Sequence, residues 1–150
     1  MEDEKFWEII NFAIDRELEA ADFYMELQAK AKFNSSKHFL KDLESMERAH
    51  AVILQGFKKE DVVKFTGKAI PDLKISDYLV GVAAGNEMTF QEILILAMKR
   101  EEASNHLYLD FAVKVQDDSV KNIFLKLASE EAKHKLMIET IYDDEILKEN

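Results

Sequence analysis

The chain has 150 residues, a formal net charge of −10 and 47% apolar residues, so we expect one globular domain over residues 1–150. The acidic charge, with no basic cluster to offset it, argues against nucleic acid as a partner. The lack of Cys excludes disulfides, thiolate zinc sites and iron–sulfur clusters. Because no signal peptide or membrane-length apolar run is present, we expect a cytoplasmic protein without membrane association.

The first half of the chain contains two segments with helical periodicity. Apolar residues recur at helical spacing from about Asp3 to Lys32, which predicts a first long helix. The run FNSS interrupts the pattern, and Ser35 or Ser36 is predicted to cap a second helix. The periodicity loosens from about residue 60 to residue 88, where we expect a crossover that contains a short helix from Ser76 to Val82.

The second half contains two further helical segments. Thr89 and Glu92 have the spacing of a capping box, which predicts a third helix that continues to about Val115. Ser119 is predicted to open a fourth helix, and the tail YDDEILKEN is expected to be a solvated helix end. Short, long and short connections between four helices favour an all-α, ferritin-like four-helix bundle, in which a crossover joins two antiparallel hairpins. An up-and-down bundle would not need so long a middle connection.

The two halves carry the same motif on their second helices. Glu47 and His50, three residues apart, are repeated 84 residues later by Glu131 and His134. Two pairs on the first and third helices share this offset: Glu17 with Glu101, and Tyr24 with Tyr108. This spacing is typical of a duplicated helical hairpin.

The matched Glu and His residues predict a two-metal site at mid-height of the bundle. Residues three apart leave one face of a helix, and pseudo-two-fold symmetry would bring the two halves together. Four buried carboxylates would neutralise two divalent cations, which offsets the cost of burying them. The predicted metal ligands are Glu17, Glu47, His50, Glu101, Glu131 and His134. Carboxylate and imidazole ligands suit iron, manganese or zinc.

Other ionisable residues do not follow the repeat. Four neighbouring acids lack an acidic counterpart at the 84-residue offset: Glu19, Glu44, Glu102 and Glu130. His38 and His106 also have no matching His and are expected at the surface. The register therefore leaves these residues out of the predicted site.

With E-x6-Y and E-x-x-H in each half, the chain resembles the rubrerythrin branch of the ferritin-like superfamily. The resemblance implies that Glu47 and Glu131 bridge two iron ions and that each iron has one of the two histidines as a terminal ligand. It also implies that Tyr24 and Tyr108 hydrogen-bond the ligand carboxylates. The activity it implies is that of a di-iron oxidoreductase, which reduces O2 or hydrogen peroxide and protects the cell from oxidative damage.

One position departs from the pattern of that family. Rubrerythrins carry an additional Glu, associated with peroxide reduction, one turn after the third-helix ligand, and this chain has Ser104 there. We therefore expect two nearly equivalent metal positions. Because the Cys-free sequence contains no rubredoxin domain, the electrons are expected from a separate protein such as a rubredoxin, and a homodimer is expected. An iron-handling ferroxidase and a non-catalytic metal-dependent bundle are the alternative functions.

Overall fold

The computed structural model describes residues 2–57, 89–115 and 117–147. These ranges contain four α-helices and a terminal π-helical turn: α1 (Glu2–Gln28), α2 (Asn34–Gln55), α3 (Phe90–Lys114), α4 (Asp118–Tyr142) and the π turn (Asp143–Leu147). None of the helices in the described ranges combines the length and apolar character needed to cross a membrane. The predicted crossover, with its short helix from Ser76 to Val82, lies outside the described residues.

The helices pair as two hairpins. α1 packs along α2, and α3 packs along α4, as expected for neighbours joined by connections of only a few residues. Contacts between α2 and α4 join one hairpin to the other, and hydrogen bonds between α1 and α3 do the same. The structure therefore confirms the predicted four-helix bundle.

Local hydrogen bonds define the starts of the two helices in the second hairpin. The capping box of α3 is confirmed: Thr89 Oγ1 accepts from the N–H of Glu92 at 3.1 Å, and the Glu92 carboxylate accepts from the N–H of Thr89 at 3.1 Å. The predicted start of α4 at Ser119 is wrong. Asp117 caps this helix by accepting from the N–H of Val120 at 3.1 Å, and the Ser119 hydroxyl donates to the Asp117 carboxylate.

The first hairpin turns earlier than predicted, and α2 lacks the predicted cap. α1 ends at Gln28, four residues before Lys32. α2 begins at Asn34, and neither Ser35 nor Ser36 supplies a cap, because both lie inside the helix. The hydroxyl of Ser36 is buried and has no hydrogen-bond partner within the part of the chain that the structure describes.

A carboxylate from the other hairpin occupies the start of α2. Oε1 of Glu145, in the π turn, accepts from the N–H groups of Lys32 and Phe33 at 2.8 and 3.2 Å. A carboxylate is favourable at this end of a helix because free N–H groups and the helix dipole both attract negative charge. Since Glu145 is only 2% exposed, the prediction that the whole tail is solvated is wrong.

Two apolar clusters fill the bundle. The first cluster includes Phe6, Ala13, Leu54, Phe111, Phe124 and Ala128. The second cluster includes Tyr24, Leu40, Leu43, Leu94, Ala97 and Ile138. On every helix, the residues of the first and second clusters stand on either side of the positions predicted to bind metal. The fold therefore places those positions in a layer between two apolar regions.

Candidate metal centre

The six predicted ligand residues converge in the layer between the two apolar clusters. None of them is more than 2% exposed. They form two groups, in each of which one potential ligand atom per residue lies within 4.8 Å of the others. The His50 group is Glu17, Glu47, His50 and Glu131, and the His134 group is Glu47, Glu101, Glu131 and His134. Glu47 and Glu131 therefore belong to both groups.

The distances in the two groups obey the 84-residue repeat. His50 Nδ1 lies 2.7 Å from Oε1 of Glu131, and the matching distance from His134 Nδ1 to Oε1 of Glu47 is 2.6 Å. Within each Glu-x-x-His motif the Nδ1 to Oε1 distance is 3.7 Å for Glu47 and His50 and 3.8 Å for Glu131 and His134. The two imidazole rings stack with their centroids 5.4 Å apart. The two hairpins thus contribute nearly identical geometry to one centre.

The first helix of each hairpin supplies one carboxylate from its interior. Glu17 Oε2 lies 3.4 Å from His50 Nδ1, and Glu101 Oε2 lies 3.6 Å from His134 Nδ1. Each of these carboxylates approaches the histidine of its own hairpin, which completes the group on that side. Because all six side chains leave continuous helices, regular backbone hydrogen bonds fix their positions.

Two buried tyrosines hold these same carboxylates across the hairpin interface. The Tyr108 hydroxyl donates to Oε1 of Glu17 at 2.6 Å, and the Tyr24 hydroxyl donates to Oε1 of Glu101. Each bond therefore runs from the tyrosine of one hairpin to the carboxylate of the other. Burial, and then the nearby carboxylate charges, raise the pKa of both hydroxyls well above 10.0. The tyrosines thus remain hydrogen-bond donors at neutral pH.

The electrostatics of the cluster favour protons on the two shared carboxylates when no metal is bound. Burial, and then the charge of Glu101, raise the pKa of Glu47 and of Glu131 well above its ordinary value. Burial also acts to raise the pKa of Glu101, but the close approach of Glu131 and His134 outweighs it and lowers that pKa. A metal ion that binds between the shared carboxylates must therefore displace protons.

The buried polar atoms of this layer that lack hydrogen bonds fit two metal ions. Several buried atoms have no hydrogen-bond partner among the described residues: Glu17 Oε2, Glu47 Oε1, His50 Nδ1, Glu101 Oε2, both carboxylate oxygens of Glu131, and His134 Nδ1. Leaving such atoms buried without partners is costly. Two divalent cations would satisfy them and balance four carboxylates. The oxygen and nitrogen donors suit iron, manganese or zinc.

The outer nitrogens of the two histidines have different partners. His50 Nε2 contacts Oε2 of Glu130, whereas His134 Nε2 lies 3.2 Å from the sulfur of Met46. Met46 and Glu130 are themselves 84 residues apart, so they occupy equivalent positions. Burial lowers the pKa of His50, but the contacts with Glu17 and Glu130 outweigh burial and raise it. The two groups are therefore alike in the distances of their Nδ1 atoms and differ in the outer partners of their histidines.

A cavity of about 20 Å³ lies beside the centre between α1 and α3, which is room for one water-sized molecule. Glu47 and Glu101 line it from the centre, together with Ser104, Arg16 and Arg100. We call it the Ser104 cavity. Arg16 and Arg100 are 84 residues apart, and sequence analysis missed this pair although it directly precedes Glu17 and Glu101. Burial, and then the charge of Arg16, lower the pKa of Arg100.

Residues that the register left out lie at the surface. His38 and His106 are exposed, and His38 Nε2 lies 3.5 Å from Asp42. Glu102 is also exposed and accepts from Lys135 at 3.1 Å. Glu44 and Glu130 are half-buried: Glu44 pairs with Arg48 at 3.1 Å, whereas Glu130 reaches His50 from α4. Only the tertiary arrangement reveals that contact.

A four-helix bundle that combines one Glu from each of two helices with Glu-x-x-His from each of the other two is the arrangement of ferritin-like dimetal carboxylate proteins. A comparison with protein families points to one branch of that class: residues 92–150 match the family model described as Rubrerythrin. The match spans α3 and α4 and confirms the resemblance seen in the sequence. No curated protein and no solved structure matches the chain.

Proposed function

We propose that the protein is a di-iron oxidoreductase that reduces O2 or hydrogen peroxide with electrons from a separate donor protein. The observation that supports this function is the pair of overlapping ligand groups that share Glu47 and Glu131. Shared carboxylates hold two ions close enough to act on one small oxidant. When bound, two ferrous ions would supply two electrons, which is the number needed to reduce one hydrogen peroxide, with two protons, to two waters.

The ligand roles follow from which atoms approach each other. Glu17 and His50 would bind one ion, Glu101 and His134 would bind the other, and the two shared carboxylates would bridge them. In each histidine it is Nδ1 that faces the carboxylates, so Nδ1 would be the ligand atom. Iron is our choice because the second half of the chain matches the rubrerythrin family model.

The surrounding residues would hold the centre and give a small oxidant access to it. Tyr24 and Tyr108 are positioning residues, because each fixes one oxygen of a terminal carboxylate through a hydrogen bond. The apolar clusters on both sides of the layer exclude bulk water. The Ser104 cavity has room for one water-sized molecule directly beside Glu47 and Glu101, which suits O2 or hydrogen peroxide.

A ferroxidase that handles iron is the second candidate. Ser104 favours it, since the rubrerythrins that the sequence resembles carry at this position a Glu associated with peroxide reduction. The same six ligands would then oxidise Fe(II) supplied as a substrate. The predicted homodimer, cytoplasmic location and rubredoxin-type donor stay predictions under either function.

The experiment that tests the proposal is anaerobic stopped-flow mixing of the di-ferrous protein with O2 and, separately, with hydrogen peroxide. Metal content is measured first, and Glu131→Ala serves as a variant that lacks one shared carboxylate. We expect rapid oxidation of the wild-type centre and none by Glu131→Ala. Repeated turnover with excess Fe(II) as the only reductant would favour the ferroxidase. A protein that binds no metal, or whose bound iron reacts with neither oxidant, would contradict the proposal.

A further inference from the structure

We infer that Glu130 makes the two metal positions unequal, so that the His50 group binds a divalent cation more tightly than the His134 group. The inference rests on the proposed two-metal centre and concerns residues outside the six ligands. The observation behind it is that the outer nitrogen of His50 meets a carboxylate, whereas the outer nitrogen of His134 meets the thioether of Met46.

The two halves of the centre form an internal controlled comparison. In the His50 group, Nδ1 of His50 lies 2.7 Å from the Glu131 carboxylate and 3.7 Å from the Glu47 carboxylate. In the His134 group, Nδ1 of His134 lies 2.6 Å from the Glu47 carboxylate and 3.8 Å from the Glu131 carboxylate. The ligand types are also the same on both sides. The first difference between the halves is therefore the partner of each Nε2, at the equivalent positions Met46 and Glu130.

The partner of Nε2 affects how strongly Nδ1 binds a metal ion. An imidazole that binds a metal through Nδ1 carries its proton on Nε2, and a carboxylate that accepts a hydrogen bond from this N–H fixes the tautomer and makes the ring a stronger ligand. Glu130 can do this for His50. The sulfur of Met46 is only a weak acceptor and gives His134 much less support.

The charge of Glu130 acts in the same direction. It places one additional carboxylate beside the His50 group, and Met46 adds no charge beside the His134 group. The side chain of Glu130 is 31% exposed, so solvent screens part of this charge. Loss of a carboxylate behind a metal-binding histidine lowers affinity by about 10–100-fold, and partial exposure favours the lower end of this range.

A groove beside the histidines makes both partners accessible to substitution. Its volume is about 450 Å³, and it lies between α2 and α4 with Met46, His50, Glu130 and His134 in its lining. Because the groove is open to solvent and Met46 is 39% exposed, a charged side chain of similar length at position 46 can lie in it without displacing the core. Met46→Glu is therefore the natural counterpart of Glu130→Gln.

The test is a titration of metal-free protein with Co(II), followed by calorimetry and by the visible absorption of the bound ion. We expect two steps in the wild type. Glu130→Gln should weaken the tighter step by about 10–100-fold and leave the weaker one unchanged, so that the steps merge. Met46→Glu should strengthen the weaker step. Glu102→Gln and Met46→Leu are the matched controls and should change neither step.

A second measurement does not depend on any variant. Anomalous diffraction from wild-type crystals with one equivalent of Co(II) should show the ion mainly between His50 and Glu131. Equal occupancy of both positions, or identical steps that Glu130→Gln leaves unchanged, would overturn the inference while two bound ions would still support the proposed function. Failure of the wild type to bind any metal would instead contradict the proposed function.

Discussion

Tyr108 on α3 donates a hydrogen bond of 2.6 Å to Oε1 of Glu17 on α1, which links the second hairpin to the first. Tyr24 on α1 makes the reciprocal bond to Glu101 on α3. Both bonds lie in the layer between the apolar clusters, where the tyrosines and the carboxylates are buried away from bulk water. The tyrosines therefore connect the geometry of the centre to the docking of the two hairpins.

Tyr108→Phe should destabilise the metal-free protein by about 1–3 kcal/mol, because it leaves a buried carboxylate oxygen without its donor. Thermal or urea unfolding of the purified variant measures this change. Tyr142→Phe is the matched control: its hydroxyl accepts from Gln91 near the surface at 2.6 Å, so removing it should cost about 0.5 kcal/mol or less. Equal losses in the two variants would show that Tyr108 contributes only its ring.

Glu47→Ala and Glu131→Ala should have the same effect, since the two carboxylates are related by the repeat and each belongs to both ligand groups. Each substitution should abolish binding of a pair of ions. Metal analysis after gel filtration measures the stoichiometry. Glu102→Ala is the control and should retain both ions because Glu102 is exposed and pairs with Lys135. Retention of a full pair by Glu131→Ala would contradict the assignment.

Added Fe(II) or Mn(II) should raise the melting temperature of the metal-free protein, because the ligands converge only in the folded state. A site filled at 100 times its dissociation constant contributes about 2.7 kcal/mol, and about 2–4 °C per kcal/mol is typical at this chain length. Anaerobic differential scanning calorimetry gives the shift. Glu131→Ala should show a much smaller one. An unchanged melting temperature in the wild type at saturating metal would count against the centre.

The metal-free protein should lose stability as the pH rises from about 5 to about 8. Glu47 and Glu131 have raised pKa values in the folded protein, so their contribution is complete below the ordinary value of 4.5 and is lost as the pH rises through the raised values. The pKa of His50 is also raised, so its contribution to stability is likewise lost as the pH rises above 6.5. Glu101, whose pKa is lowered, acts oppositely, and its contribution is lost as the pH falls through its folded-state pKa.

Thermal unfolding of the metal-free and metal-loaded proteins across this pH range tests whether the groups with raised pKa values outweigh Glu101. Bound metal replaces the protons on the shared carboxylates, so the melting temperature of the loaded protein should depend less on pH. The stabilisation by metal should therefore increase with pH. A metal-free protein that becomes more stable towards pH 8 would show that Glu101 and the other carboxylates dominate.

Ser104→Glu should bring a carboxylate to the centre through the Ser104 cavity. Residues three apart lie on one face of a helix, and Ser104 and Glu101 both line this cavity. We expect faster peroxide reduction by the variant than by the wild type, together with a change in the metal–metal separation between redox states. Ser104→Gln is the control for size. Rapid peroxide turnover by the wild type, unchanged in both variants, would contradict this role of position 104.

The cluster of four Glu and two His residues could be predicted from the sequence because burial and repetition are both visible there. A Glu and a His within an apolar helix face need a partner, and the 84-residue register selected Glu131 over Glu130 and Glu101 over Glu102. The structure brings the selected residues together. Helical periodicity also predicted the four helices, although α1 ends four residues before the predicted Lys32.

The features that sequence analysis missed depend on contacts between distant segments. The start of α2 receives its carboxylate from Glu145, more than 100 residues away, so no local pattern could replace the mistaken serine cap. At the start of α4 the cap is local: Asp117 caps the helix, whereas the sequence analysis chose Ser119, two residues later. The contact of Glu130 with His50 joins the two hairpins. Its only sign in the sequence is that the position equivalent to Glu130 in the first half holds Met46 and not an acidic residue.

The ligand groups are divided unevenly between the two hairpins. Three members of the His50 group belong to the first hairpin and its fourth member, Glu131, to the second; the His134 group has the converse division, with Glu47 as the borrowed residue. Neither hairpin alone can therefore complete either group. In the proposed centre, an ion would be held firmly only after the two hairpins have docked. Each ion would then link the first hairpin to the second and stabilise their association.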